Sequence, residues 1–234
     1  TKSELMKKKT VAHHREEVTY DSEHWELLKH LREESLPVME SLSMYCPIVY
    51  GSVARGDVHK GSDIDIFIPA TISSYILEIA LERFGIVEKV IAMATPWHLI
   101  KSHIVLSNGI TVTFPLVEFK KYEREFYYFG GAVAIDAIKE GRRVPGIDKR
   151  LMLIQPTEGG HIGMEVQGNE SLAAKTVGVP LGLVRERQQV LNKRDKVGRT
   201  GIYLNKHLLR EDNIELELKR LADTDTNIKR RYRA

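Results

Sequence analysis

The stretch VYGSVARGDVHKGSDIDIFIP, residues 49–69, decides how this chain reads. A short apolar run, Ile48–Tyr50, feeds a Gly51-Ser52 turn. Ten residues then separate Ser52 from two carboxylates spaced i, i+2, Asp63 and Asp65. From Asp63 to Ile68 polar and apolar residues alternate, the pattern of a strand. Side chains on a strand point to its two faces in turn, so Asp63 and Asp65 share one face. Two adjacent carboxylates repel unless a cation joins them. Mg²⁺ suits such a pair, because it takes one or two carboxylates and completes its shell with water and substrate phosphates. The turn supplies the other half of such a site. Glycine lets the backbone approach closely, and a hydroxyl with N–H groups at a helix start binds phosphate oxygens. Arg55 and Lys60 lie between the turn and the acids, where a triphosphate needs counter-charge.

At these residues the sequence resembles the DNA polymerase β-like nucleotidyltransferase superfamily. Its signature is a strand, a Gly-Ser turn, a spacer of this size and Asp-x-Asp on the next strand. The likeness is close over residues 45–70 and loose over 20–125. It implies an α/β (α+β) mixed sheet with helices. It also implies Mg²⁺-dependent transfer of a nucleoside monophosphate from an NTP, ATP among them, to an unnamed acceptor. Asp63 and Asp65 would be the catalytic and metal-binding residues, and Gly51, Ser52, Arg55 and Lys60 would contact nucleotide. The superfamily usually supplies a third carboxylate from a later strand. That strand would be Ile110–Leu116, whose inward positions are Thr111 and Thr113 by the period of two. Neither is a carboxylate, and threonine is a poor ligand for a hard dication. Either a carboxylate such as Glu118 or Glu123 is recruited, or the domain binds nucleotide and transfers it weakly or not at all.

The composition agrees with a globular reading. At 234 residues, 42% hydrophobic and 29% charged, the chain has room for one large domain or two small ones. No apolar run approaches the length of a membrane span. The basic segment TKSELMKKKT is followed by no apolar core, so no secretory signal is expected. The single cysteine, Cys46, allows no intrachain disulfide and fits a reducing cytoplasm. Placed before Pro47, it reads as a small buried hydrophobe.

Around the motif, periodicity gives alternating helices and strands. A polar tail covers residues 1–20, and Asp21-Ser22 starts an amphipathic helix that Pro37 kinks or breaks. Ser73–Phe84 reads as a helix with Ile76, Ile79, Ala80 and Phe84 on one side, stopped by Gly85. Val87–Met93 is a strand, and Asn108-Gly109 signals a hairpin between His103–Ser107 and Ile110–Leu116. These elements make a nucleotidyltransferase-like domain over residues 21–125. The C-terminal region, 126–234, is expected to be mostly α. An aromatic cluster, Tyr122 to Phe129, spans the boundary, and Ala132–Lys139 reads as a helix. Lys149 and Arg150 close a loop, Leu151–Ile154 is a short strand, and a Gly-rich loop with Glu158 and His161 follows.

A second motif lies within residues 169–194. A helix ends at Gly178, a short turn follows, and another helix begins near Pro180 or Leu181. Ala174, Gly178 and Val184 have the spacing of a helix-turn-helix unit, whose second helix enters the major groove of DNA. The next anchor position holds Arg187, so Val190 or Leu191 must supply that packing. Arg185, Arg187, Lys193, Arg194 and Lys196 are the candidate nucleic-acid contacts, and Arg199 extends the row. From Glu170 onward there are 15 Lys/Arg against 9 Asp/Glu, a net +6 in a chain whose whole net charge is +3. That asymmetry suits an anionic partner such as DNA or RNA. A plain αα-hairpin with a solvated basic surface would show much of the same pattern. The rival to an enzyme is therefore a DNA-binding regulator with a nucleotide-sensing or inert nucleotidyltransferase-like domain.

Overall fold

The computed structural model describes residues 15–198 and 201–233. The basic N-terminal segment, the His13-His14 pair and Arg199 lie outside them. Strand β1 (Arg15–Thr19) falls within the expected polar tail. Asp21 then caps helix α1 (Ser22–Ser41), its carboxylate accepting from the His24 N–H at 2.8 Å. Pro37 lies inside α1 and does not end it. A proline inside a helix costs about 3 kcal/mol. Val38 and Met39 beside it are fully buried, and burying a side chain of that size returns about 1.5–3 kcal/mol. Packing on the sheet therefore carries the helix past the proline.

Strand β2 (Ile48–Tyr50), the single turn α2 (Ser52–Arg55) and strand β3 (Asp65–Phe67) follow; β3 is shorter than the expected Asp63–Ile68, and Asp63 lies in the loop that leads into it. Cys46, just before them, is exposed with φ 52°, ending a 3₁₀ turn, and it is no part of the core. Helix α3 (Ser74–Leu81) buries Ser74, Leu77 and Leu81 and leaves Ile76 and Ile79 exposed, a rotation from the expected face. Ser74 is drawn inward by Glu215, whose carboxylate accepts from its N–H at 2.6 Å and its hydroxyl at 2.7 Å. Strands β4 (Ile86–Met93), β5 (Ile100–Leu106) and β6 (Thr111–Pro115) complete this half, with Gly109 turning the β5–β6 hairpin at φ 83°.

The chain continues through α4 (Phe126–Phe129), β7 (Ala132–Ala134) and α5 (Ile135–Lys139), so the segment read as one helix starts as a strand. Next come β8 (Gly146–Ile147), β9 (Met152–Thr157) and β10 (Gly160–Glu165). Helices α6 (Glu170–Val177) and α7 (Leu181–Val197), strand β11 (Leu204–Leu208) and helices α8 (Ile214–Thr224) and α9 (Thr226–Tyr232) end the described chain. No helix among the described residues is long and apolar enough to cross a membrane.

Seven strands form one mixed sheet, ordered β11-β4-β5-β6-β3-β2-β7, in which only β3 and β6 run parallel. Four more form an antiparallel sheet, β1-β10-β9-β8. The region expected to be mostly α thus supplies five strands, β7 to β11, and the line drawn at residue 125 does not separate the sheets. β7 and β11 form the two edges of the large one. Gly160 permits the close crossing with β1, since a Cβ there would lie 1.9 Å from the Val18 carbonyl oxygen.

The register divides the large sheet into two faces. Val49, Ile66, Val112, Ile104 and Ile91 point into the main core with Val38, Leu77 and Leu218. Tyr50, Asp65, Phe67, Thr111, Thr113, Lys101 and His103 occupy the opposite face. Tyr127 lies over that face, its ring stacked on Phe67 with centroids 3.4 Å apart. A second core joins the small sheet to α6 and α7 through Ile147, Leu153, Ala173, Ala174, Leu183 and Val184.

Candidate active site

Gly51 links β2 to α2 with φ 85° and ψ −146°, a conformation that other residues strongly resist. A Cβ there would meet nothing within 4 Å, so the requirement for glycine is conformational. Its N–H donates to Gly131 O at 2.9 Å. Ser52 opens α2 and its hydroxyl donates to Ser62 at 3.2 Å. Ser62 accepts from the His59 N–H at 2.9 Å, which folds the spacer back on the turn. The spacer therefore delivers Asp63 and Asp65 beside Gly51 and Ser52. All four line one cleft of about 940 Å³.

Asp63 is exposed and Asp65, opening β3, is half-buried. Burial pushes the Asp65 carboxyl above its usual range, the Asp63 charge pushes the same way, and Lys149 and Lys101 oppose them. Both causes are of the kind that a nearby cation offsets. Among the described residues no group of three or more His, Cys, Asp and Glu converges as a metal centre. The donor set is two carboxylates beside a cleft with room for a nucleotide. It fits one Mg²⁺ that completes its shell with substrate and water.

The third-carboxylate position is occupied otherwise. Thr111 pairs with Asp65 across the parallel β3–β6 ladder, and Thr113 pairs with Phe67. Thr113 is fully buried and its hydroxyl lies 2.8 Å from His103 Nδ1, while Tyr50 also hydrogen-bonds it. Burial, reinforced by Lys101, pushes His103 down to about 3. The group is therefore a neutral imidazole near pH 7 and a poor base. Neither Glu118 nor Glu123 lines the cleft. Glu123 accepts from Arg231 at 2.7 Å, and Glu118 is exposed and gives Arg231 only its carbonyl.

The predicted basic residues separate sharply. Arg55 is buried and committed, with two bonds to Asp57 at 2.8 and 2.9 Å and one to Gly130 O at 2.6 Å. It lines the cleft as a brace for the turn. Lys60 is exposed and lies outside the cleft lining. Helices α6 and α7 are joined by a tight turn at Gly178, φ 78°, with Ala174 and Val184 both buried. On α7, Val184, Arg187, Leu191 and Arg194 form one stripe at helical spacing. Val184 anchors it in the second core, and the other three line the cleft. The Arg187 guanidinium lies 4.8 Å from the Phe126 ring centroid. Arg185, Lys193 and Lys196 are exposed and outside the cleft lining, so the structure does not present the five basic residues together.

Several cleft residues were not singled out by the sequence. Lys149 and Arg150 line it, and their basic pair was visible without any sign of where it would fold. Asp57 and Phe126 matter only through Arg55 and Arg187, contacts that no local pattern announces. The loop histidine, His161, is taken by the Tyr20 hydroxyl at 2.7 Å, and Glu158 is exposed.

Comparison with known proteins agrees with this geometry over the segment that builds it. Residues 47–124 match the family described as the nucleotidyltransferase domain. No curated protein and no solved structure gives a match. The turn, the acidic pair and the strand beside them thus lie in the segment that matches the nucleotidyltransferase domain, a match consistent with the polymerase β-like kind.

Proposed function

We propose that the protein transfers a nucleoside monophosphate from an NTP to an acceptor hydroxyl, slowly, with Mg²⁺ held by Asp63 and Asp65. The observation that carries this reading is the joint placement of Gly51, Ser52, Asp63 and Asp65 in one cleft. When bound, the ion would supply charge neutralisation for the phosphates and a lower pKa for the acceptor hydroxyl. Gly51 lets the phosphates approach the backbone at the start of α2, and Ser52 offers a hydroxyl there. Arg55 keeps the turn in shape through Asp57 and Gly130. Thr111 and the Tyr50–Thr113–His103 group offer no carboxylate to remove the acceptor proton. General base assistance is worth about 10²–10⁴ in rate, so transfer is expected to be slow. The test is pyrophosphate release from labelled NTPs with RNA, protein and small-molecule acceptors. Release that depends on Mg²⁺ and disappears in Asp65→Asn supports the reading. NTP binding with no release under any condition favours a nucleotide sensor.

A second reading rests on the exposed basic residues of α7. Arg185, Lys193 and Lys196 lie on its solvent side, in a region of net +6. They suit the phosphates of DNA or RNA, either as acceptor or as the target of a regulator. Retention of duplex or single strands by the full chain at low salt, falling steeply as salt rises, is the expected result. Absence of retention at low salt removes this reading.

A further inference from the structure

We propose that α7 is the polyphosphate-binding wall of the nucleotidyltransferase cleft, with Arg187 and Arg194 holding the β- and γ-phosphates of the donor and the pyrophosphate that leaves. The inference rests on the reading of the cleft as an NTP site and assigns to it a helix outside the segment that matches the family.

Position comes first. Arg187 and Arg194 are seven residues apart, two turns of one helix face, with Leu191 between them. That face is fixed inward because Val184 is fully buried and Gly182 packs against Tyr122, where a Cβ would lie 2.4 Å from the hydroxyl. The position at which a recognition helix would need an aliphatic anchor therefore holds a guanidinium on the cleft wall.

Charge is the second observation. The cleft contains Arg55 and Arg150 already paired with Asp57 and Asp148, at 2.8 and 2.7 Å. Among the described residues Arg187, Arg194 and Lys149 make no ion pair, and the buried Nε of Arg187 has no hydrogen-bond partner. Burial lowers the Arg187 pKa, and the Arg194 charge lowers it further. The cleft thus holds two like-charged pairs on different elements. Asp63 and Asp65 repel one another and favour a cation, while Arg187 and Arg194 repel one another and favour an anion. A polyphosphate carrying a divalent cation satisfies both at once. A guanidinium suits it, since its fork of donors matches phosphate oxygens.

The experiment is calorimetric titration of the full chain with inorganic tripolyphosphate and with NTP, both in Mg²⁺. Arg187→Met keeps the stem over Phe126, and Arg194→Glu changes an exposed residue. Each is expected to weaken tripolyphosphate and NTP about ten- to a hundredfold, the size of one charged hydrogen-bonded contact. Lys219→Ala, exposed on α8, is expected to leave both affinities unchanged. Wild-type affinities in both arginine variants would overturn the proposal, as would an equal loss in Lys219→Ala. NTP binding that still depends on Mg²⁺ and on Asp65 would then leave the underlying site standing. A wild-type chain that binds neither ligand overturns the site and the proposal together.

Discussion

Replacing Arg55 by methionine tests how the phosphate turn is braced. The guanidinium is 6% exposed, donates to both Asp57 oxygens at 2.8 and 2.9 Å, and donates to Gly130 O at 2.6 Å. Asp57 is itself only 13% exposed at its side chain. Arg55→Met therefore leaves a largely enclosed carboxylate without its hydrogen-bonded counter-charge, and breaking such a pair from one side costs about 3–5 kcal/mol. The same change frees the Gly130–Gly131 segment, to which the Gly51 N–H is tied. Urea denaturation should show that loss, and NTP affinity should fall with it. The double variant Arg55→Met/Asp57→Leu should recover part of the stability, because the orphaned charge is gone. A loss below about 1 kcal/mol in Arg55→Met, or a double variant equal to the sum of the singles, would refute the reasoning.

Thr111→Asp places a carboxylate beside Asp65 and should raise pyrophosphate release, up to about 10²–10⁴-fold; an unchanged rate would show that the missing acid is not what slows transfer. Thr113→Asp buries its charge under Tyr50 and His103, and should lower stability with no gain in rate. His103 is held near 3 when folded against an ordinary 6.5, so its contribution to stability is complete above pH 6.5 and is lost as pH falls toward 3. Denaturation between those limits should show that acid-side slope, and His103→Gln should flatten it. Gly51→Ala, strained at φ 85°, should cost about 1–3 kcal/mol and weaken NTP binding, as read by thermal shift and calorimetry.

The motif was legible because it is local. The Gly-Ser turn and the strand after it each depend on neighbours in sequence, although the strand expected from Asp63 to Ile68 spans only Asp65–Phe67 and leaves Asp63 in the loop before it; the Asn108-Gly109 hairpin is the same kind of signal. The empty third-carboxylate position followed from the period of two, and β6 pairs as that period requires. The register refined it, since Thr111 stands beside Asp65 and Thr113 lies in a buried network. What was missed is non-local. β1 pairs with β10 across most of the chain, and nothing in Arg15–Thr19 marks it as a strand. The inward face of α3 is set by Glu215 on α8. Arg55 and Lys60 look alike in sequence, yet Asp57 and Gly130 enclose one and leave the other in solvent. The charged anchor position at Arg187 was visible as a departure from the helix-turn-helix pattern. Its meaning required the cleft to which α7 turns.

The most direct test of the central claim is the affinity for NTP as a function of Mg²⁺, measured by calorimetry for the wild type and for Asp63→Asn/Asp65→Asn. Binding should strengthen with Mg²⁺ in the wild type, and the variant should lose that dependence. Equal binding with and without Mg²⁺, unchanged in the variant, would contradict the account.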